Sequence, residues 1–458
     1  MIGIVGGGIA GLASAYRLQQ QGFDVHVFEA SESIGGLAAV YETAGDNIEK
    51  FYHHLSKTEE TIVELAEELG IGDKIEWKIG TNGYYVDGVI HPLNTPWEIL
   101  AYPHLNMHDT IRLGGLTAGV DLRGGYPTLD SYEDLSEYEH ETVESFVREH
   151  TTDNVYENFV DPLLDGKYGA RKKDISAAWF LGRIRFRGER DLLRGEVLGY
   201  PRGGFTTIID GLIDAVGHEN ISVNTPVTGL KCRDGTVESI TAHDQSTQTE
   251  YNYSVDGVVV ATMPNVLEQL TGYTCQVEFQ GAVCGLMHLE ESLMDTYWLN
   301  IAHDAPFGAL IEHTNFIDRD RYDGEHLVYV AAYVQDPSEP LWQADNEAVR
   351  RKWLDEIESM FPDFDRENIT ELKIARNPRA APIYECGYLD LVIPYDLSER
   401  IAHGVYYAGM ASEAQYPERS LNGGVVAGFN AADRIVSDFE ADSGTPTGTH
   451  TSTLTTEL

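Results

Sequence analysis

A glycine-rich turn near the start of the chain has the spacing of a dinucleotide phosphate-binding loop. Gly6-Gly7-Gly8-Ile9-Ala10-Gly11 follows the apolar run 2–5 and precedes apolar residues at helical spacing. Gly6 permits the tight turn, Gly8 lets the backbone approach a pyrophosphate, and Gly11 allows close packing of helix on strand. Amide groups at the helix start would face the phosphates. The pattern therefore predicts a strand, loop and helix that bind a dinucleotide.

A carboxylate stands at the end of the second predicted strand. The alternating run 23–28 leads into Glu29, which lies 18 residues beyond Gly11. A carboxylate at this place can accept hydrogen bonds from both hydroxyl groups of a ribose. This unit alone does not distinguish an NAD site from an FAD site.

Two further glycine-rich segments favour FAD. Residues 29–37, Glu-Ala-Ser-Glu-Ser-Ile-Gly-Gly-Leu, resemble the second-glycine extension of flavoproteins of the amine oxidase and protoporphyrinogen oxidase type, and residues 405–435 resemble the C-terminal flavin segment of that superfamily. In that segment a strand ends in Ala-Gly, here Ala408-Gly409, and a later glycine-rich turn starts a helix beneath the flavin ring. FAD is long, so a second helix N-terminus can face the electron-rich end of its isoalloxazine. An NAD site would not need this second segment.

The resemblance extends to the middle of the chain and implies a set of FAD contacts. The superfamily's Pro-x-Gly-Gly helix start is resembled by Tyr200-Pro-Arg-Gly-Gly-Phe205. The strand whose backbone meets the adenine is resembled by Asn224-Thr-Pro-Val227, and a characteristic strand and turn by Val258-Val-Val-Ala-Thr-Met-Pro264. The implied cofactor-binding residues are Gly6, Gly8, Ile9, Ala10, Gly11, Glu29, Ala30, Gly35, Gly36, Leu37, Val227, Ala261, Gly409, Met410, Asn422, Gly423 and Gly424. Leu37 and Met410 depart from the pattern, because many relatives have Arg and an acidic residue there.

Two adjacent histidines are candidates for positioning or proton transfer. His53 and His54 lie in the segment 49–55, Glu-Lys-Phe-Tyr-His-His-Leu, where superfamily members bring a loop across the flavin face. Together with Glu60-Thr61, the segment also resembles the Gly-Pro-His segment of UDP-galactopyranose mutases. Neighbouring side chains point in different directions, so we expect at most one of the pair to face the flavin. A hydrogen-bonded structural pair is the alternative.

Basic residues are concentrated in one part of an acidic chain. Ten of the 32 Lys and Arg residues fall between positions 166 and 202. Beside a flavin pocket, Arg side chains would suit a phosphate, a diphosphate or a carboxylate on a small-molecule substrate. Arg183 and Arg185 are the candidate catalytic residues of this group, since they follow Trp179-Phe180. Local charge balance against neighbouring acids is the alternative.

The overall charge excludes one class of partner. The chain has 74 acidic against 32 basic residues, a formal net charge of −42. A field of that sign repels phosphate backbones, so we expect no nucleic-acid binding. Because the carboxylates are spread along the whole chain, we interpret the charge as a salt-adapted, halophilic surface.

The remaining composition predicts a cytoplasmic protein. The four cysteines are too widely spaced for a zinc site or a CxxC redox pair, and the strand-like start leaves no room for a signal peptide. The sequence contains no run of 18 apolar residues, so we predict no transmembrane helix. The apolar segment 93–120 could contact a membrane surface or line a lipid-accessible mouth, although such a segment is more often domain core.

Together these patterns predict an α/β flavoprotein of two interleaved domains. The expected glutathione-reductase-like, Rossmann-type FAD domain comprises 1–80, 199–268 and 395–436, and a discontinuous α+β substrate domain comprises 81–198 and 269–394. Residues 437–458 are expected to form a disordered tail.

The resemblance implies an FAD-dependent oxidoreductase that transfers a hydride from an organic substrate to flavin N5, with an electron acceptor that the residues do not identify. A redox-neutral isomerase of the UDP-galactopyranose mutase type, using reduced FAD, is one alternative. A flavin-holding partner without turnover is another.

Overall fold

The structure is a computed structural model that describes residues 1–118, 133–185, 190–191, 194–414 and 420–443. The side chains of 117–118, 133, 185, 190–191 and 442–443 lie outside this description. Statements about what is absent refer to the described residues.

The strands belong to several sheets. In chain order they are β1 (Ile2–Val5), β2 (Val25–Phe28), β3 (Val40–Tyr41), β4 (Ile48–Glu49), β5 (Leu55–Ser56), β6 (Ile75–Gly80), β7 (Asn82–Val86), β8 (Val89–Pro92), β9 (Arg190–Asp191), β10 (Gly195–Pro201), β11 (Ile221–Ser222), β12 (Val227–Arg233), β13 (Thr236–Asp244), β14 (Thr249–Ser254), β15 (Gly257–Val260), β16 (Phe279–Leu289), β17 (Trp298–Ile301), β18 (Ala309–Glu312), β19 (His326–Val334), β20 (Ile369–Pro382) and β21 (Val405–Tyr407).

Fourteen α-helices are described along the same chain. They are α1 (Ile9–Gln20), α2 (Glu60–Glu68), α3 (Pro96–Leu100), α4 (Met107–Ala118), α5 (Val143–His150), α6 (Asp153–Val155), α7 (Asp161–Tyr168), α8 (Ala177–Arg185), α9 (Thr206–Val216), α10 (Pro264–Thr271), α11 (Pro340–Gln343), α12 (Asn346–Met360), α13 (Tyr388–Leu391) and α14 (Leu421–Ser443). Among the described helices, none has the length and hydropathy that crossing a membrane requires.

A parallel sheet in the order β11-β2-β1-β15-β21 confirms the predicted α/β class. Its strands consist mainly of valine, isoleucine and aromatic residues because both faces are covered. Val259 packs into the core on the side of α1 and α14, whereas Val258 and Val260 pack into a second core with Ile240 of β13. The carboxyl ends of β1, β15 and β21 therefore meet at one edge, where the glycine-rich loops follow.

A second, mixed sheet has the order β20-β16-β19-β18-β17-β7-β8. Its pairs are antiparallel except for β17 with β7. It joins strands from the two chain segments 81–198 and 269–394 that we assigned to one substrate domain. The predicted boundary at 198/199 falls inside β10, so it does not coincide with a break between elements. The division into two domains and its other boundaries stay a prediction.

The last helix extends further than we predicted. Helix α14 continues through Ser443, so assigning 437–443 to a disordered tail was wrong. The reason is packing: Phe439 lies edge-on against Phe23 with ring centroids 5.4 Å apart, and Asp438 accepts a hydrogen bond from Tyr406. Residues 444–458 lie outside the described part of the chain.

Helices α1 and α14 approach each other closely because small residues face each other across the contact. A Cβ atom on Gly428 would meet the carbonyl oxygen of Ala10 and would lie 2.9 Å from Cβ of Ala13. The buried hydroxyl of Ser14 donates to the carbonyl oxygens of Ala10 and Gly428 at 2.9 and 3.0 Å. The first and last helices are thereby held in register.

We expect Gly428→Ala to destabilise the fold although alanine is the better helix former. Overpacking costs about 1–3 kcal/mol, which outweighs a gain in helix propensity of about 1 kcal/mol. Gly114→Ala in α4 is the matched control, because a Cβ there has no heavy atom within 4 Å. Thermal unfolding checks both variants, and a midpoint for Gly428→Ala at or above that of the parent would contradict the packing argument.

Candidate functional site

One cavity of about 700 Å³ runs along the edge where the parallel sheet ends. On one side it is lined by the loop after β1 and by the start of α14. Its other walls come from the 51–54 loop, from α7 and α8, and from small residues of the mixed sheet such as Ala282, Ala309 and Ala331. Elements distant in sequence thus surround one continuous space.

The loop after β1 forms a cradle in which side chains at Gly6 and Gly11 would clash with neighbouring backbone atoms. Gly6 has φ +106°, and a Cβ there would lie 2.7 Å from the carbonyl oxygen of Ala261, which confirms the predicted tight turn. A Cβ on Gly11 would collide with the carbonyl oxygen of Gly6, which confirms the predicted close packing. Gly8 faces open space on the cavity wall, immediately before the first residue of α1. The arrangement leaves room for a phosphate at a helix N-terminus.

Glu29 reaches back to this cradle. One carboxylate oxygen accepts from the amide of Gly7 at 2.7 Å and the other from the amide of Ser31 at 2.8 Å. Each oxygen keeps a second lone pair, so the carboxylate can also accept from ribose hydroxyls. The amide of Gly35 donates to the carbonyl oxygen of Gly7 at 3.0 Å, which ties the second glycine pair to the first.

The C-terminal segment closes the other side of the cradle. A Cβ on Gly409 would lie 2.6 Å from the carbonyl oxygen of Thr262, and one on Gly424 would lie 2.6 Å from Cγ2 of Ile9. Asn422 does not line the cavity, because it is buried and its Oδ1 accepts from the amide of Ile62 at 2.8 Å. This asparagine fastens α14 to α2, and its predicted contact with the cofactor is therefore not supported by its position.

The structure brings most of the predicted site residues to one cavity. The lining includes Gly6, Gly8, Ile9, Ala10, Glu29, Gly35, Gly36, Leu37, His53, His54, Arg183, Ala261, Gly409, Met410, Gly423 and Gly424. Gly11, Ala30, Val227 and Asn422 are not in the lining. Ala30 is exposed, and the side chain of Val227 is buried, so a backbone contact of Val227 with adenine stays a prediction. The side chain of Arg185 lies outside the described residues.

Two carboxylates, the buried Glu49 and the half-buried Asp46, position the loop that carries the two histidines. Glu49 is 1% exposed, accepts from the amide of Phe205 and from the hydroxyl of Tyr200, both at 2.7 Å, and thereby holds the start of α9. Burial raises the pKa of Glu49. Asp46 accepts from the amide of Gly203 at 2.9 Å and from Nε of Arg321 at 2.6 Å. The loop is thus anchored four residues before His53.

His53 is held as a neutral acceptor. Its Nδ1 lies 2.6 Å from the carbonyl oxygen of Phe51. A carbonyl oxygen can only accept, so Nδ1 carries the hydrogen and Nε2 keeps a free lone pair. Burial lowers the pKa of His53 to about 4, so the ring is uncharged at neutral pH.

His54 belongs to an aromatic wall. Its Nδ1 lies 3.0 Å from the hydroxyl of Tyr297, and its ring is 5.9 Å from that of Trp298. The ring of His53 instead lies 5.9 Å from that of Phe205. The two side chains diverge as expected, and both line the cavity. That at most one of them faces the flavin stays a prediction.

Two cations of the cavity wall lie over one aromatic ring. Nζ of Lys167 lies 4.9 Å and Cζ of Arg183 lies 5.3 Å from the ring centroid of Trp179. All three residues line the cavity, and Trp179 is 4% exposed. An aromatic face stabilises a cation most where water is excluded. The wall can therefore offer positive charge to a bound anion.

Sequence reasoning missed several residues of this cavity. Lys167 appeared only as one member of the basic run, yet it follows Leu163 and Leu164 at helical spacing and so shares their cavity-lining face. That spacing could have identified it. Tyr52, whose hydroxyl lies 3.1 Å from that of Tyr333, gave no such signal, because their pairing depends on strand β19.

Comparison with known proteins agrees with this geometry. The model of the family described as flavin containing amine oxidoreductase matches residues 9–436. The chain belongs to this family. A coproporphyrinogen III oxidase from Staphylococcus aureus is 27% identical over 290 residues, which cover 57% of this chain and 60% of that protein. The chain spans about half to three fifths of the length of the curated relatives it matches first.

Solved structures share the whole fold. An oxidoreductase from Methanosarcina mazei has a TM-score of 0.70 at 15% identity and covers 94% of this chain and 99% of its own. A reduced UDP-galactopyranose mutase has a TM-score of 0.68 at 16% identity, with 95% of both chains covered. At these identities the likeness concerns the fold. It confirms the predicted fold class with its mixed α and β elements.

Family membership makes FAD the cofactor, and the residues present fit it. The glycine cradle, the helix N-terminus and Glu29 can hold a pyrophosphate and a ribose. Leu37 and Met410, which stand where many relatives are charged, both line the cavity. Because both are uncharged, the negative charge of a bound pyrophosphate would be offset mainly by backbone N–H groups at the start of α1.

We expect Glu29→Gln to weaken FAD binding about tenfold to a hundredfold. The side-chain amide of Gln has one neutral acceptor oxygen, so one of the Gly7 and Ser31 amides loses its acceptor and the other keeps only an uncharged one. Isothermal titration of the flavin-free protein with FAD measures the change. Glu32→Gln is the control, an exposed carboxylate on the same loop. Equal affinity of parent and Glu29→Gln would show that the carboxylate does not hold the cofactor.

We also expect His53 to make the fold less stable in acid. Its pKa is about 4 in the folded chain against 6.5 for a free histidine, so between these values only the unfolded chain takes up the proton. The free energy of unfolding therefore falls as pH is lowered from 6.5 to 4, by ~1.4 kcal/mol per pH unit for one proton. Denaturant titrations at several pH values should show a shallower slope for His53→Gln. His218→Gln, whose side chain is 81% exposed, should retain the parental slope.

Proposed function

We propose that the protein is an FAD-dependent oxidoreductase in which the bound flavin accepts a hydride at N5 from a small organic substrate. One observation carries this proposal. The same cavity is lined by the dinucleotide cradle and, beyond it, by polar and aromatic side chains that no dinucleotide requires. A cofactor site packed shut would instead have favoured a flavin-holding partner without turnover.

The chain's own residues would bind and orient the substrate. Because Nε2 of His53 is an acceptor and its ring is neutral, it can hold a substrate N–H or O–H group. With a pKa of about 4 it is a weak base. Trp298, Tyr52 and the small residues of β16 and β19 exclude water and provide an apolar wall.

The substrate is expected to carry an anionic group. Lys167 and Arg183 lie over one tryptophan ring, and a bound phosphate or carboxylate would offset their mutual repulsion. Glu196 of β10 also lines the cavity, so its wall carries both cationic and anionic groups. A carboxylated porphyrinogen is one candidate, since the staphylococcal relative is named for coproporphyrinogen.

The alternative is a redox-neutral mutase acting on a nucleotide sugar. The pair of cations would suit a diphosphate, and the fold of a UDP-galactopyranose mutase covers 95% of this chain. Such an enzyme would need reduced FAD but would consume no electrons.

An absorption spectrum of the purified protein with added FAD tests the common part of both proposals. Flavin bands that remain with the protein after gel filtration are expected, and their absence would refute both. The anaerobic holoenzyme is then mixed with coproporphyrinogen, with amines that bear a carboxylate and, after dithionite reduction, with UDP-galactopyranose. Bleaching of the oxidised flavin by one of the first two supports the oxidoreductase. Isomerisation of the sugar by the reduced enzyme alone supports the mutase.

We expect Lys167→Gln and Arg183→Gln each to lower kcat/KM for an anionic substrate about tenfold to a hundredfold. The reason is the loss of one charged hydrogen bond. A neutral analogue of the same substrate should lose little, which separates recognition of the anion from general damage. Lys352→Gln on the exposed side of α12 is the charge-matched control. Equal losses for the anionic substrate and the neutral analogue would contradict an anion site at these residues.

A further inference from the structure

The helix that carries Lys167 is interrupted by a π-turn. Residues 153–168 form one continuous helix that consists of α6, the π-turn Tyr156–Val160 and α7. A π-turn holds one residue more than an α-turn, and each residue of an α-helix changes the direction of its side chain by about 100°. Regular α-helical geometry alone therefore does not set the direction of Lys167, and contacts of α7 with the rest of the fold must fix it.

A proline and two tyrosine hydroxyls account for the π-turn. Pro162 has no N–H group that could bond the carbonyl oxygen of Asn158, and in an α-helix its ring would crowd that oxygen. The hydroxyl of Tyr102 donates to this oxygen at 3.2 Å, and the hydroxyl of Tyr84 donates to the carbonyl oxygen of Phe159 at 2.7 Å. Side chains outside the helix thus stabilise the wide turn.

The end of α7 rests directly on the backbone that precedes β18. Gly166 faces Gly308 without a side chain between them, and a Cβ on Gly308 would collide with the carbonyl oxygen of Gly166. The sheet holds Gly308 from both sides, because its amide donates to the carbonyl oxygen of Ala331 at 2.9 Å and its own carbonyl oxygen accepts from the amide of Ile301 at 3.0 Å. A side chain at position 308 would therefore push α7 away from the sheet.

Gln335 holds the last turn of α7. Its Nε2 donates to the carbonyl oxygen of Lys167 at 3.3 Å and to Oε1 of Gln280 at 3.0 Å. Gly169 follows the helix with φ +49° and leaves room for this amide, since a Cβ there would lie 2.5 Å from Oε1 of Gln335. In this arrangement Nζ of Lys167 lies 4.9 Å from the ring centroid of Trp179. The backbone under the cation is thus fixed at the cavity wall.

We propose that Gly308 and Gln335 are positioning residues through which the cavity selects an anionic substrate. Both are uncharged, and they act by fixing α7 and thereby the place of Lys167 over Trp179. A displacement of about 1 Å is enough to weaken a positioned interaction strongly, and Arg183 would then face the anion without its neighbour. The inference rests on the anion site of the proposed function. It adds that this selectivity depends on a backbone contact that glycine alone permits.

Binding of small probes to the FAD-loaded protein tests the inference. Benzoate and pyrophosphate are the anions, benzamide is the neutral analogue of benzoate, and isothermal titration measures each affinity. Gly308→Ala should weaken binding of the anions about tenfold to a hundredfold and leave benzamide unchanged. Gly229→Ala in β12 is the matched control, because it adds the same methyl group to a strand glycine outside the cavity, 3.8 Å from the nearest atoms of Thr241. It should bind all three probes like the parent.

Two further variants separate positioning from general damage. The double variant Gly308→Ala/Lys167→Gln should bind the anions no more weakly than Lys167→Gln alone, since Gly308 acts through Lys167. Gln335→Met keeps the side-chain length but cannot donate, so it should also weaken the anions selectively. Flavin absorption after gel filtration shows which variants retain FAD, and Gln335→Met decides where Gly308→Ala does not.

Parental anion affinity in either FAD-loaded variant would overturn the inference. Equal losses for benzamide, or losses that add in the double variant, would also overturn it. A parent that binds neither anion would refute it together with the anion site. Flavin bands in that same parent would leave the oxidoreductase proposal standing, so the two failures are distinguishable.

Discussion

The contact between the first and the last helix is the constraint on which the site depends. Helices α1 and α14 come close enough for the hydroxyl of Ser14 to bond the backbone of Gly428, and glycine at 424 and 428 makes that approach possible. This contact sets the start of α14 beside the phosphate cradle at the start of α1. A larger side chain at either glycine would separate the two halves of the cradle. Residues more than four hundred positions apart therefore form one binding wall.

The histidine loop depends on buried polar bonds. Glu49 is buried and accepts hydrogen bonds from Tyr200 and from the amide of Phe205, whereas the half-buried Asp46 accepts from the amide of Gly203. An unpaired carboxylate at the position of Glu49 would be strongly destabilising. These hydrogen bonds connect the loop to the turn before α9. His53 and His54 inherit their positions on the cavity wall from it.

The cavity differs from the rest of the molecule in its charge. The chain carries a net charge of −42, yet the wall of α7 and α8 presents Lys167 and Arg183 over a tryptophan ring. A wall of low dielectric constant strengthens the electric field of these two cations. They can therefore attract an anionic ligand although the chain as a whole is acidic. The local environment of the cavity, rather than the net charge of the chain, thus sets the charge that a bound ligand meets.

The sequence by itself determined the dinucleotide cradle, because its glycines, its helix start and Glu29 lie within thirty residues and obey local rules of backbone geometry. It also indicated the second flavin segment and the basic run. The tertiary structure alone decided that Asn422 turns away to fasten α2, that both histidines line the cavity, and that Lys167 joins Arg183 on one ring. It likewise extended α14 to Ser443 through contacts with Phe23 and Tyr406. These outcomes rest on partners distant along the chain, and no local pattern specifies which distant side chain completes a hydrogen bond or a packing contact.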